Sequence, residues 1–303
     1  MAAAMVYQIF SSSGLVSLGV FHLVATIRNH LKYPHSYSAK PFHTIPLSSS
    51  SSSHRLKHLQ LYLIMAFLLV ALAHQILVSW DSDPLLKGRT PVHRFTSLQS
   101  AAVLFLFLLL SLSLLLSESL LLLPHDLFFA LAAALFYLQS SVSFSAASVQ
   151  TSDLQAKCDS ISARISVLCS VLCLALACQS RLFVADVGLG AALCLQGLWV
   201  LQTGLSLYVE AFIPEGCHRL LDVVNGVEGS TKCDLEESSL RAVAILDLAF
   251  LVHVMFVMLI MMVVYAVVAK SVGIRRLGSY EALPTASHDH NHIQLKSLSG
   301  TQA

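Results

Sequence analysis

The residues of this sequence best suited to chemistry are ionisable side chains inside otherwise apolar segments. His22, His74, Asp247 and His253 each lie within a long run of apolar residues. A charged group near the centre of a bilayer costs at least about 2.5–3.5 kcal/mol, so each of these residues needs a reason to be there. Together, three histidines and a carboxylate could bind a metal or relay protons. The sequence therefore offers the four residues as one candidate intramembrane site.

The same residues also have a purely structural interpretation. Asp247 and His253 are six positions apart and so face different sides of a helix, and each polar group could instead bond a neighbouring helix. Asp247 is the one carboxylate that we place clearly inside an apolar segment. Glycine-rich phosphate loops, Gly-x-Ser-x-Gly and His-Glu-x-x-His patterns are absent from the sequence, so we expect no enzyme activity, no cofactor and no bound metal.

Three glycines recur at seven-residue intervals in a later apolar segment. Gly190, Gly197 and Gly204 therefore share one helix face. Small residues let two helix backbones approach closely in lipid, so we interpret this stripe as a packing surface. A substrate path along a groove lined by these glycines is the alternative.

Two cysteines lie in the longest loop on the predicted non-cytosolic side. Cys217 and Cys233 would be exposed to an oxidising compartment there. Closing a loop of this length stabilises a fold by about 3 kcal/mol in the chain-entropy model. The sequence thus allows a disulfide between them, and two free thiols are the alternative.

The C-terminal tail, residues 270–303, carries two short motifs. Tyr280 and Leu283 have the tyrosine-x-x-bulky-apolar spacing that clathrin adaptors read as an extended peptide. His288, His290 and His292 alternate with polar residues, and we interpret them as solvated tail residues rather than as a metal site. A clathrin adaptor is therefore the one protein partner that the sequence itself suggests.

The composition requires a membrane around these residues. Of 303 residues, 56% are hydrophobic and 12% are charged, about half the usual charged share, and the mean hydropathy is +0.73. So few charges cannot cover a soluble globule of this size. The formal net charge of +1 also argues against nucleic-acid binding. The remaining class is a polytopic membrane protein, whose main partner is the lipid bilayer.

Seven apolar windows have the length of a membrane-spanning helix, roughly 20 residues. Continuous apolar runs predict helices, because backbone groups in lipid must bond within their own segment. The fold class expected is all-α, a bundle of seven transmembrane helices. The predicted spans are 4–27, 59–79, 95–117, 127–149, 163–179, 183–209 and 243–269. The first window lacks the basic start of a signal peptide, so we interpret it as an uncleaved span, with a plastid transit peptide as the alternative.

The distribution of charge predicts the orientation. Lys and Arg mark cytosolic loops. The loop after the first span contains five of them and no acidic residue, and ten lie on that side of the membrane against eight on the other. We expect a lumenal or extracellular N-terminus and a cytosolic tail, in the endomembrane system or the plasma membrane.

Four stretches resemble the transmembrane protein 45 family and its plant relatives: Gly14–Gly19, Val92–Thr96, Leu195–Gly204 and Arg275–Leu277. The third is similar to the family's most distinctive pattern, Leu-Gln-Gly-x-Trp-x-x-Gln-x-Gly, and His253 matches a family histidine. The chain departs from the family at Ser145–Leu154, where relatives carry His-x-His-Gly-Arg-x-x-x-Leu-Asp with a buried Glu shortly before it. Any metal or proton chemistry of those groups is therefore expected to be lost or changed here.

The resemblance implies a seven-helix membrane protein without an agreed biochemical activity, with some plant members described as responding to viral attack. Our first hypothesis is a non-enzymatic membrane protein that acts in trafficking or in a stress or viral response through its tail and helix contacts, and that could form homo-oligomers. The alternative is a small transporter or channel that uses His22, His74, Asp247 and His253. An intramembrane lipid-modifying enzyme is a third, weaker possibility.

Overall fold

Seven long helices make up most of the chain. A computed structural model describes residues 2–43, 58–80, 92–117, 124–150, 152–222 and 227–272. The helices in these ranges are α1 (Ala2–Lys32), α2 (Leu59–Ser79), α3 (Val92–Ser117), α4 (His125–Val149), α5 (Asp153–Cys178), α6 (Phe183–Tyr208) and α7 (Glu236–Val272). All seven are long and apolar enough to cross a bilayer, which confirms the predicted fold class.

Local sequence signals set several helix boundaries. Pro124 stands in an extended conformation just before α4, where a missing backbone N–H costs nothing. The Ser152 hydroxyl accepts a hydrogen bond from the Gln155 backbone N–H at 3.4 Å, so it caps α5. This cap lets α5 begin ten residues before the predicted span and include Lys157.

The last helix extends well beyond the thickness of a membrane. Its 37 residues correspond to about 55 Å, against about 30 Å for the hydrocarbon core. The exposed fractions of Leu248, Met255 and Met262 are 63%, 65% and 57%. Large apolar side chains on the outside of a bundle are suited to contact with lipid acyl chains.

The bundle is organised around close helix pairs. The most extensive contacts join α1 to α6, α4 to α5, and α2 to α3, while α7 lies against α1, α5 and α6. Trp199 of α6 is fully buried, and its indole N–H donates to the Cys158 carbonyl of α5 at 3.0 Å. One apolar core surrounds Trp199, and a second lies between α4, α5 and α6.

A short antiparallel ribbon lies between α6 and α7. It consists of β1 (Cys217–Asp222) and β2 (Val227–Cys233), with Cys217 opposite Cys233. The ribbon is an addition to the predicted all-α fold. The Thr231 hydroxyl donates to the Leu207 carbonyl at 3.3 Å, and the Ser152 hydroxyl donates to the Thr231 carbonyl. These bonds fix the ribbon to the ends of α5 and α6.

Candidate functional site

A buried carboxylate lies at the junction of α1, α6 and the loop that follows α1. Asp186, in the first turn of α6, has no exposed surface. Nε2 of His22 lies 2.8 Å from one of its carboxylate oxygens. The hydroxyls of Thr26 and Tyr37 donate to the other oxygen at 3.2 and 2.5 Å. We call Asp186, His22, Thr26, Tyr37 and the adjacent His43 the Asp186 cluster.

Helix geometry explains why α1 supplies two of these groups. His22 and Thr26 are four residues apart, so both face α6, and both are buried. The glycine stripe of α6 faces α1 and lets the two helices approach. A Cβ on Gly190 would lie 3.0 Å from Leu23 Cγ, and one on Gly197 only 2.8 Å from the Val16 backbone nitrogen.

Residues 33–43, which we call the first loop, fold back over the cluster. The backbone N–H of Ala39 donates to the Ser180 carbonyl at 2.7 Å. The His43 N–H donates to the Gln60 side chain of α2 at 3.0 Å. The His43 ring lies 3.5 Å from the Thr26 hydroxyl. The loop is therefore attached to α1, α2 and the start of α6.

Burial and charge set the protonation of the two loop residues. Burial, together with the charge of Asp186 and the hydrogen bond to it, raises the pKa of Tyr37 well above its ordinary value of 10.0, so this phenol remains a donor. Burial and the neighbouring His22 lower the pKa of His43 to about 4, with a smaller contribution from Lys40 and an opposing one from Asp186. The docked loop thus carries a neutral His43 at neutral pH.

The other polar residues singled out in the sequence have different partners. The His74 ring stacks on Tyr7 at 3.6 Å. Nδ1 of His253 lies 2.6 Å from the carbonyl oxygen of Ala249 in its own helix. Of the four residues expected to form one site, only His22 takes part in the Asp186 cluster.

The remaining member of that set, Asp247, lies at the outer surface of the described bundle. It pairs with Lys157 at 2.7 Å and is half exposed. The sequence prediction names Asp247 as the carboxylate inside a span and does not include Asp186, which the structure buries in the first turn of α6. Asp186 falls inside the predicted span 183–209, and an acidic residue in the first turn of a spanning helix was the signal that could have identified it.

The two loop cysteines are joined in the structure. Cys217 and Cys233 form a disulfide across the ends of the ribbon. Cys158, Cys169, Cys173 and Cys194 are free and buried, and Cys178 is free and exposed.

The tail motifs, Tyr280 with Leu283 and the alternating histidines, lie outside the described residues. Within the described ranges, no three His, Cys, Asp or Glu side chains are placed to hold one metal ion. The Asp186 cluster is a network of hydrogen bonds around a buried carboxylate.

Comparison with known proteins supports part of the resemblance. No curated protein matches the chain. Residues 125–266, which include α4, α5, α6, the ribbon and most of α7, match the sequence model of a family of unknown function, DUF716, which corresponds to the transmembrane protein 45 family.

Proposed function

We propose that the chain is a non-enzymatic integral membrane protein in which proton binding at the Asp186 cluster controls docking of the first loop, as the gate of a proton-coupled transporter or channel requires. The observation that carries this proposal is the attachment of a loop to a fully buried carboxylate through Tyr37. Ionisable groups buried inside a membrane bundle commonly mark ion or proton pathways. The sequence analysis gave a small transporter or channel as the alternative function. In the present proposal the residues that carry this function are those of the Asp186 cluster.

Thermodynamic linkage between proton binding and loop docking gives the direction in which pH changes docking. The docked His43 has a pKa of about 4, whereas a released, solvated histidine titrates near 6.5. The released loop therefore binds more protons between these values. The free energy of docking is therefore most favourable above about pH 6.5, and this contribution of His43 is lost as the pH falls toward 4. The groups facing His43 are His22 of α1, Asp186 of α6 and Lys40 of the loop itself.

Hydrogen exchange of the purified full chain tests this coupling. We expect peptides covering residues 33–43 to be protected at about pH 7.5 and to lose protection at about pH 5, after correction for the intrinsic exchange rate. The variant His43→Gln should abolish the difference between the two pH values. The matched control His35→Gln changes an exposed histidine of the same loop and should leave the difference intact. Equal protection of wild type at both pH values would contradict the proposal.

Proteoliposomes containing a pH-sensitive dye test the transport role. Under an imposed pH gradient, wild type should carry protons faster than protein-free vesicles, and Asp186→Asn should remove the difference. Asp247→Asn is the matched control, because that carboxylate is half exposed and paired with Lys157. Proton flux that is insensitive to Asp186, or no flux above protein-free vesicles, would exclude transport through the cluster.

We further infer a cytosolic first loop and tail, with the N-terminus and the ribbon on the lumenal or extracellular side of an endomembrane or the plasma membrane. The support is the excess of Lys and Arg after α1 and the Cys217–Cys233 disulfide, which suits an oxidising compartment. Protease added to sealed vesicles with the cytosolic face outward should remove the tail. A fully protected tail would reverse the orientation.

A second candidate function rests on the tail motif. We propose that the chain is a plant member of the transmembrane protein 45 family with a role in membrane trafficking or in a stress or viral response. Its support is the family match over residues 125–266 and the adaptor-type spacing of Tyr280 and Leu283. Tyr280→Ala should shift steady-state localisation and slow internalisation. Unchanged localisation and internalisation would rule out this use of the tail.

A further inference from the structure

A basic cleft opens beside the first loop and uses a different face of α1 from the Asp186 cluster. Its volume is about 720 Å³. The wall that α1 contributes consists of Phe21, Val24, Ala25, Arg28, Asn29 and Lys32. These positions recur at three- and four-residue intervals, so they form one continuous helix face.

Polarity changes along this face. Phe21, Val24 and Ala25 are apolar, and Arg28 and Lys32 follow one to three turns further toward the end of the helix. The distance from Phe21 to Lys32 along the axis is about 16 Å. The apolar part lies deeper in the predicted span, and the basic part lies where α1 leaves the membrane. A ligand that matches this gradient has an anionic head and an apolar tail.

The residues that other elements contribute to the cleft continue its division into a basic part and an apolar part. The first loop adds Lys40 and His43, and His125 at the start of α4 supplies another nitrogen. The end of α3 adds Leu114 on the apolar side. None of the described residues that line the cleft is acidic.

The charged side chains of the cleft are accessible to a ligand. Arg28, Lys32 and Lys40 are exposed. Within the described part of the chain, none of the three forms an ion pair with a carboxylate. Three cations brought together without a counter-charge attract a multivalent anion, and phosphate is the group that Arg and Lys bind in this way.

We propose that this cleft binds an anionic phospholipid, with the headgroup phosphate on Arg28, Lys32 and Lys40 and an acyl chain along Phe21, Val24 and Leu114. Basic pockets between membrane helices on the cytosolic side are the usual place for such headgroups. The cleft uses Lys40 and His43 of the docked first loop, so lipid binding is measured at about pH 7.5, where docking is favourable. At that pH either proposal can fail without the other.

Native mass spectrometry of the full chain in detergent tests the proposal with phosphatidic acid and phosphatidylcholine of identical acyl chains. We expect wild type to prefer phosphatidic acid, and the triple variant Arg28→Gln, Lys32→Gln, Lys40→Gln to bind it at least about tenfold more weakly. The matched control Arg181→Gln, Arg241→Gln, Lys270→Gln removes three exposed charges outside the cleft and should bind like wild type. No preference for phosphatidic acid, or equal binding by both triple variants, would overturn the proposal.

Two further experiments complete the test. The first distinguishes a bound lipid from a free phosphate ester, and the second uses other variants in case the triple variant does not fold. Millimolar glycerol 3-phosphate should not displace phosphatidic acid, because it lacks the acyl chain. Displacement would assign the cleft to a soluble phosphate ester and overturn the lipid assignment.

Val24→Trp fills the apolar part of the cleft and should weaken phosphatidic acid binding, whereas Val263→Trp, on the exposed surface of α7, should not. Equal binding by these two variants would also contradict the proposal.

Discussion

The phenolic hydroxyl of Tyr37 donates a 2.5 Å hydrogen bond to the Asp186 carboxylate, across 149 residues of sequence. This bond connects the first loop to the first turn of α6, and both groups are buried. His30 reinforces the junction, because its ring stacks on Phe183 at 3.9 Å and meets Tyr37 edge-on at 5.2 Å. The loop is therefore a packed part of the bundle.

Replacing Tyr37 by phenylalanine should loosen the loop. The change removes one hydrogen bond to a charged acceptor, and such bonds contribute about 1.5–3 kcal/mol. We expect the free energy of unfolding to fall by that amount, measured in mixed micelles by circular dichroism. Tyr33→Phe is the control, because Tyr33 is 60% exposed, and its effect should stay within about 0.5 kcal/mol. Equal effects of the two variants would mean that the bond does not hold the loop.

Asp186→Asn should be the most destabilising of the conservative polar substitutions. An asparagine keeps the shape but turns an N–H₂ group either toward Nε2 of His22 or toward the hydroxyls of Thr26 and Tyr37. Disrupting a buried pair in this way costs about 3–5 kcal/mol. The same measurement on Asp247→Asn should show about 1 kcal/mol or less, because its pair with Lys157 is half exposed. A larger effect at Asp247 would contradict the assignment of Asp186 as the central polar group.

Gly197→Ala tests the close packing of α1 on α6. The new Cβ would lie 2.8 Å from the Val16 backbone nitrogen, so the helices must separate, at a cost of about 1–3 kcal/mol. Gly188→Ala is the matched control in the same helix. Its Cβ would meet only the flexible end of Leu172 at 3.3 Å, and alanine favours a helix. We expect no loss of thermal stability at Gly188, and tolerance at both positions would argue against the packing.

Reduction should loosen the ribbon between α6 and α7. Breaking the Cys217–Cys233 bond removes a constraint worth about 3 kcal/mol in the chain-entropy model. The variant Cys217→Ser should therefore be cleaved faster by protease within residues 217–233. Cys178→Ser changes an exposed free thiol and should have no such effect. If the mass of the peptide that contains both cysteines does not change on reduction, the two thiols are free and the disulfide is absent.

The Asp186 cluster could be predicted only in part. A histidine inside the first span was visible in the sequence, and His22 does contact the buried carboxylate. His74 and His253 looked equivalent to it by residue type, yet they contact Tyr7 and the Ala249 carbonyl. Hydropathy locates a polar residue along a helix, but it does not say which neighbouring helix that residue faces.

The seven helices follow from local composition, because a backbone surrounded by lipid must satisfy its hydrogen bonds within each apolar run. The seven-residue spacing likewise places Gly190, Gly197 and Gly204 on one face. That this face packs against α1, and that Asp186 meets His22 and Tyr37, is seen only once the helices assemble. Helix pairing depends on side-chain shape and on polar contacts between residues more than a hundred positions apart, which a local pattern does not encode.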